Sequence, residues 1–291
     1  MSRRAASGVA WPQDQGCFGT MRAYGGRVLA LEEHLERLWA SARVLALPVA
    51  PTPAGVRRAA LEALAAAGGG DRLVRVQLVS SAGGVQIRVV VTPFHPCPAA
   101  WSRDGVAAVT VPTRKPPVSA IDYQSKASAR LGSVLAVLEA TQQGGFEGLM
   151  LGREGWVTET TISNVLMLRQ GGLLTPPCRL GLLAGITRQL VRRAAGRMGL
   201  RVQDAPLSRH DLYNADEVLL AGTTKELLPV VRIDGRAIGA GRPGPRGRRL
   251  QALLRQVIQE ALAHESPARR GLTAGNRRHG TGHQGAHQRL R

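Results

Sequence analysis

Cysteine is scarce in this 291-residue chain: Cys17, Cys97 and Cys178 are odd in number, widely spaced and free of any C-x-x-C pair. That argues against a disulfide framework and against a zinc cage, and leaves reduced, structural thiols as the expectation. Aromatic residues make up only 3%, too few to lay a stacking platform for single-stranded nucleic acid. No run approaches the roughly 20 apolar residues needed to cross a bilayer, so no membrane partner is expected. The basic start at Met1-Ser2-Arg3-Arg4 has no apolar stretch behind it, and the cytoplasm is the expected compartment. Lysine is almost missing as well. Lys115, Lys126 and Lys225 are the only three, so arginine supplies 36 of the 39 basic residues behind the formal charge of +19. With the heavy use of Ala, Gly and Pro, that charge reads as coding bias rather than a nucleic-acid stripe, and no helix-turn-helix, RRM or finger signature accompanies it.

What is present is ample apolar content, 44%, in a chain long enough for one large domain or two ordinary ones. Leu31, Leu35, Leu38, Ala42 and Leu45 recur on one helix face, with Glu32 and Glu33 in the first turn where the helix dipole favours them. A second, Ala-rich helix is expected over 53–67, stopped by three glycines. Residues 73–80 and 85–92 read as strands of a hairpin turning at Ala82-Gly83-Gly84, and 106–111 as a third strand. Pro112, Pro116 and Pro117 then make a stiff extended connection. The expected organisation is a small N-terminal α/β domain over 1–112, a linker over 113–119, a larger domain over 120–265 and a disordered basic tail over 266–291. In the larger domain helices are expected over 128–143, 187–198 and 248–263, with strands near 148–151, 165–168, 172–174, 218–220 and 228–233. The fold class is therefore α/β of mixed α+β character. His279, His283 and His287 recur every fourth residue in the tail, but in Gly-rich sequence they read as compositional bias, and no metal site is expected.

Four short segments carry chemistry in order: Tyr123-Gln124-Ser125-Lys126; Val157-Thr158-Glu159 with Ser163-Asn164; Leu183-Ala184-Gly185-Ile186-Thr187-Arg188; and Gly222-Thr223-Thr224-Lys225-Glu226. Together they offer one amine, one carboxylate and two turns rich in hydroxyl and amide donors, the parts that hold pyridoxal phosphate. Lys126 stands at an element boundary where a desolvated amine can act as a nucleophile, against the plainer alternative of a surface lysine. Lys115 and Lys225 have weaker contexts. Glu159 is equally compatible with a ring-nitrogen partner and with an exposed strand-end charge. Thr187 opens a helix whose free N–H groups suit a phosphate, or simply caps it. Arg37 offers the matching cation, or is a solvated helix arginine.

These segments resemble the class IV aminotransferases, the fold type IV pyridoxal-phosphate enzymes that include branched-chain and D-amino acid aminotransferases and aminodeoxychorismate lyase. The resemblance covers roughly residues 18–262, beginning with Glu33-His34-Leu35-Glu36-Arg37-Leu38 and including Val111-Pro112-Thr113-Arg114-Lys115, Ile233-Asp234-Gly235 and Gly241-Arg242-Pro243-Gly244-Pro245. It implies two domains with the cofactor between them and a homodimer. It also implies that Lys126 is the Schiff-base lysine, that Glu159 faces the pyridine nitrogen, that Arg37, Ile186, Thr187, Thr223 and Thr224 hold the phosphate, and that Leu183 packs on the ring. Candidate substrate contacts are Phe18, Arg75 and Arg130. The implied activity is transfer of an amino group, from an amino acid of branched-chain type, to a 2-oxo acid such as 2-oxoglutarate. D-amino acid transamination and the lyase reaction remain as alternatives, as does a degenerate relative acting as a binding module. Ser80-Ser81 stands where D-amino acid and lyase members carry Arg-Gly, Phe18-Gly19 where Phe-Glu is common, and Ala184 where Pro is frequent. The short stretch before Phe18 leaves a missing first strand as an open expectation.

Overall fold

A computed structural model describes residues 15–48, 52–81, 84–121 and 123–265. The tail, its histidines, the extreme N-terminus and the hairpin residues Ala82 and Gly83 lie outside the described residues.

The first sheet is antiparallel, in the order β2-β1-β3-β4. Its strands are β1 (Gly16–Tyr24), β2 (Arg27–Val28), β3 (Arg72–Ser81) and β4 (Gly84–Pro93). Helices α1 (Leu31–Val44) and α2 (Pro53–Ala66) cover one face. In α1, Leu31, Leu35, Leu38 and Ala42 point inward. In α2, Thr52 accepts the Gly55 N–H at 3.1 Å, and Pro53 occupies the first turn, where its missing donor costs nothing. Strand alternation sends Cys17, Met21, Ala23, Val74, Val76 and Leu78 into this helix-packed core. Phe18, Thr20, Arg22 and Arg75 take the opposite face. The first strand, whose presence the sequence left open, is nine residues long and pairs with β3 from Gly16 to Ala23.

After α3 (Ala99–Asp104) the chain enters a nine-stranded sheet. It contains β5 (Val106–Lys115), β6 (Glu147–Gly152), β7 (Val157–Thr160), β8 (Asn164–Arg169), β9 (Gly172–Thr175), β10 (Arg201–Asp204), β11 (Glu217–Gly222), β12 (Glu226–Ile233) and β13 (Arg236–Ala237). Here the structure departs from expectation. The segment read as a third strand of the small domain plus a proline linker is one strand, β5, and it pairs in parallel with β6 and β12 of the second sheet. Its register shifts between Thr110 and Arg114, and Pro112 sits in that interruption, where no ladder donor is required.

Strand β7 pairs with β6 on one side and, at Glu159–Asn164, with β8 on the other, so β8-β11-β12-β5-β6-β7 close into a ring. Helices α5 (Ile186–Arg197) and α7 (Pro245–His264) pack over one side in a shared core with Leu190, Val191, Leu250, Leu254 and Ile258. Helix α4 (Leu131–Gln142) covers Val111 and Met150 through Ala136 and Ala140, and the short α6 (Arg209–Tyr213) is closed by a capping box between Ser208 and Asp211. Among the described residues no helix is long and apolar enough to cross a membrane.

Candidate active site

The loop that ends in Lys126 is stitched to the first sheet. Phe18 N–H donates to Lys126 O at 3.0 Å and Ser128 N–H to Gly16 O at 2.7 Å, along the part of β1 that β2 does not reach. From the other side, Lys126 N–H donates to Ser41 Oγ at 3.0 Å, and that hydroxyl donates to Arg37 O at 2.9 Å. The amine is thus anchored at its backbone and free at its tip. Its side chain points into a cavity of about 460 Å³, of a size suited to a small organic ligand. Burial, then the neighbouring Arg130 and Arg37 charges, pushes the Lys126 pKa down to about 7, against the attraction of Glu159. Nζ stands 4.9 Å from the centre of the Phe18 ring.

All eleven residues singled out from the sequence line this one cavity: Phe18, Arg37, Arg75, Lys126, Arg130, Glu159, Leu183, Ile186, Thr187, Thr223 and Thr224. They come from both sheets and from α1 and α5, so the site lies between the two halves of the chain.

Glu159 is not an exposed strand-end charge. It is 5% exposed, its neighbours Thr158, Thr160 and Thr161 are buried too, and it lies inside β7 rather than beyond it. Oε1 accepts from Lys115 Nζ at 2.6 Å and lies 3.9 Å from Arg130, while Oε2 accepts from Leu183 N–H at 3.1 Å and Asn164 Nδ2 at 3.4 Å. Lys115 is therefore a residue that the sequence reading undervalued. It is 1% exposed, with Nζ 4.2 Å from the centre of the Tyr123 ring. Lys225 was undervalued in the same way. Its amine contacts buried Glu147, which also accepts from Ser163 Oγ at 2.9 Å and Thr160 Oγ1 at 2.5 Å. That pair ties the Gly222–Thr223–Thr224 turn to β6. The scarcity of lysine was the available signal, since all three lysines in the chain belong to this region.

Helix α5 begins at Ile186, one residue before the expected Thr187, with Gly185 as its N-cap and no capping side chain. Its first-turn N–H groups are left for a ligand or solvent. A Cβ at Gly185 would lie 1.9 Å from Asn164 Oδ1, so only glycine permits the approach that lets Asn164 donate to Leu183 O at 3.0 Å. Arg37 donates to Ala184 O at 3.0 Å and lies 3.4 Å from His34 Nδ1. Burial and the Arg130 charge lower the Arg37 pKa to about 10, and burial with the Arg37 and Lys126 charges holds His34 well below the usual imidazole range.

Arg75 stacks on Phe18 at 3.9 Å and has no ion-pair partner among the described residues. Ser80 and Ser81 end β3 away from the cavity, with Ser81 Oγ donating to Gly84 O at 2.7 Å. Ser128 Oγ and Ser133 Oγ are buried without partners, and both line the cavity. The arrangement offers a near-neutral amine, a paired carboxylate, an uncapped helix start, two threonines and three guanidinium groups. Such a donor set suits an anionic ligand carrying an aldehyde and a basic ring nitrogen.

Known proteins resemble this chain in sequence and in fold. The model of the amino-transferase class IV family matches residues 16–233. A Methanocaldococcus jannaschii protein provisionally named a branched-chain-amino-acid aminotransferase is 34% identical over 83% of this chain and 86% of its own length. The D-alanine aminotransferase of Bacillus licheniformis is 30% identical, covering 85% and 89% respectively. The branched-chain amino acid aminotransferase of Thermobaculum terrenum, solved in its PLP-bound holo-form, superposes with a TM-score of 0.79 at 26% identity, covering 87% of this chain and 89% of that one.

Proposed function

The chain belongs to the class IV aminotransferases, and from that membership we propose that it moves the amino group of a branched-chain L-amino acid to a dicarboxylic 2-oxo acid, using Lys126. As a member of the family it is a pyridoxal-phosphate-dependent aminotransferase of fold type IV. When bound, the cofactor supplies an aldehyde that takes up an amino group and a ring that draws electrons from the substrate Cα.

The observation that carries the substrate reading is the division of the cavity wall. Phe18, Val134, Val137 and Ile162 supply apolar surface, while Arg75 and Arg130 supply cationic surface. An aliphatic side chain fits the first and a carboxylate the second. Lys126 Nζ, with its pKa near 7, takes the proton from the substrate Cα in its neutral form and returns it on the other side of the transfer. Glu159 would face the ring nitrogen, its charge balanced by Lys115. Arg37, Ile186, Thr187, Thr223 and Thr224 would hold the phosphate, and Leu183 would pack on the ring. The orphaned hydroxyls of Ser128 and Ser133, and the uncapped start of α5, support the fit.

D-amino acid transamination is the second reading, favoured by the Bacillus licheniformis relative. Ser80 and Ser81, which stand where D-amino acid and lyase members carry Arg-Gly and lie off the cavity, weigh for the branched-chain assignment, while Arg75 would receive a carboxylate in either reading. Turnover of L-leucine with 2-oxoglutarate, set beside D-alanine with 2-oxoglutarate and beside an acceptor-free reaction, tests this. The L-leucine pair alone should turn over. Without an acceptor a transaminase stops at one equivalent of oxo acid, so repeated release of pyruvate from aminodeoxychorismate with no acceptor present would establish lyase chemistry instead.

A cytoplasmic homodimer completes the proposal. Helix α4 buries its small residues, Ser133, Ala136 and Ala140, and leaves Leu131, Val134, Leu135 and Leu138 outward at 72, 55, 44 and 55% exposure. Ile162, 65% exposed at the mouth of the cavity, adjoins this set. A second copy is the occupant we assign to that surface.

A further inference from the structure

A second cavity lies outside the active site. It encloses about 610 Å³ and is separated from the site by the turn from Gly222 to Glu226. Thr224 lines both spaces. Alternation along β1 explains the pairing of the two cavities. Phe18 and Thr20 face the first and Arg22, on the same face of the strand, reaches the second.

The charges lining this second cavity do not balance. Arg22 is committed to Glu226 at 2.8 Å and sits between the rings of Tyr24 and Phe94, at 3.9 and 3.7 Å. Arg103 is committed to Asp104, and Lys225 to Glu147. Arg248 and Arg255, exposed and seven residues apart on one face of α7, have no ion-pair partner among the described residues. Between them Gln251 donates to Leu227 O at 2.9 Å and Ser102 Oγ at 3.0 Å, which fixes that face of the helix against the cavity floor. Arg22 Nε, meanwhile, is buried without a partner. Of the three such orphaned atoms among the described residues, two line the active site and this one belongs to a residue that lines the second cavity. Apolar side chains, including Phe94, Leu227 and Leu254, complete the lining.

We infer that this cavity is an effector site for a small organic anion, one that joins carboxylate or phosphate groups to an apolar body and bears on the cofactor-holding turn from behind. The two uncommitted guanidinium forks match carboxylate or phosphate oxygens, the apolar lining takes the body, and the volume is that of an ordinary ligand site. Coupling follows from the shared wall. Cys97 Sγ donates to Thr224 O at 3.7 Å, and Glu226 is held with φ at 57°, a backbone conformation that non-glycine residues rarely adopt. An anion seated on Arg248 and Arg255 therefore lies against a turn whose other face carries Thr223 and Thr224.

The test uses two probes, ADP for the phosphate chemistry and phthalate for the carboxylate chemistry, titrated calorimetrically into the holoenzyme and, in parallel, into cofactor-free protein. The parallel arm keeps a failure of cofactor loading distinct from a failure of this site. At least one probe should bind saturably to both forms, and R248A/R255A should weaken it at least about tenfold, the loss expected for charge-assisted hydrogen bonds. In the holoenzyme the phosphorus resonance of the bound cofactor should shift on saturation. Absence of saturable binding by either probe would overturn the site, as would undiminished affinity in R248A/R255A, which would put the anion elsewhere. Binding that leaves the phosphorus resonance unmoved would overturn the coupling. Both arginines are exposed and unpaired, so the double variant should fold, and an unchanged Tm would verify that it does.

Discussion

Lys126 owes its depressed pKa to burial first and to its cationic neighbours second, so its titration should respond to each neighbour separately. Replacing Arg130 with leucine removes a positive charge that disfavours the ammonium form. The Lys126 pKa should then rise by about one unit, and the acid limb of the rate of cofactor attachment should move to higher pH by the same amount. A limb that stays near pH 7, or moves lower, would contradict the electrostatic account. The residues proposed for covalent and donor chemistry, which line one cavity, could be singled out because their types suggest it: an amine, a carboxylate and paired threonines in short motifs. Their ion-pair partners were not. Lys115 meets Glu159 across 44 positions of sequence, and only the pairing of β5 with β6 and of β6 with β7 brings them together. Nothing local to Arg114-Lys115-Pro116 foretells a buried ammonium. The same holds for Lys225 and Glu147, 78 positions apart.

Among the elements, helices with a regular apolar face were legible to within a turn. α1, expected over 31–47, ends at Val44 with Leu45 as its C-cap, and α2, expected over 53–67, runs from Pro53 to Ala66, because Leu and Ala recur at helical spacing and Thr52-Pro53 marks a start. β1 was left open because its inward positions, Cys17, Gly19, Met21 and Ala23, carry no β-branched residue. β5 was misread because proline inside a bulged strand looks the same in sequence as proline in a linker. Helix α7 depends on a contact from another element. Buried Glu217 of β11 accepts the N–H groups of Gly247 at 2.9 Å and Arg246 at 3.1 Å, satisfying donors that no N-cap side chain reaches. Glu217→Ala should cost about 2 kcal/mol, read as a fall in Tm of about 4–8 °C. No change in Tm would show that water replaces the carboxylate without loss.

At the scale of the whole molecule, the two sheets meet along the outward face of β1, and both cavities lie on that seam. The sequence conveyed two units with chemistry between them, but not which unit owns residues 106–115, because ownership is set by strand pairing. Nor did it foretell that α4 would turn its large aliphatic residues outward. If a second copy covers that face, Leu135→Asp with Leu138→Asp should convert a dimer to a monomer in sedimentation equilibrium. Buried small residues on the opposite side of α4 should keep the fold, with near-unchanged far-ultraviolet circular dichroism. A wild-type protein that sediments as a monomer would contradict the assignment.

Lys126 is the residue proposed to carry transamination of a branched-chain L-amino acid in the cavity between the two sheets. The most direct measurement is the visible absorption of the cofactor-loaded protein as L-leucine and then D-alanine are added, for the wild type and for Lys126→Ala. L-leucine should convert the wild-type spectrum to that of the pyridoxamine form, D-alanine should not, and Lys126→Ala should fail to convert with either. Conversion by D-alanine alone would move the chain to the other branch of the family. Conversion of the alanine variant at the wild-type rate would remove Lys126 from the chemistry.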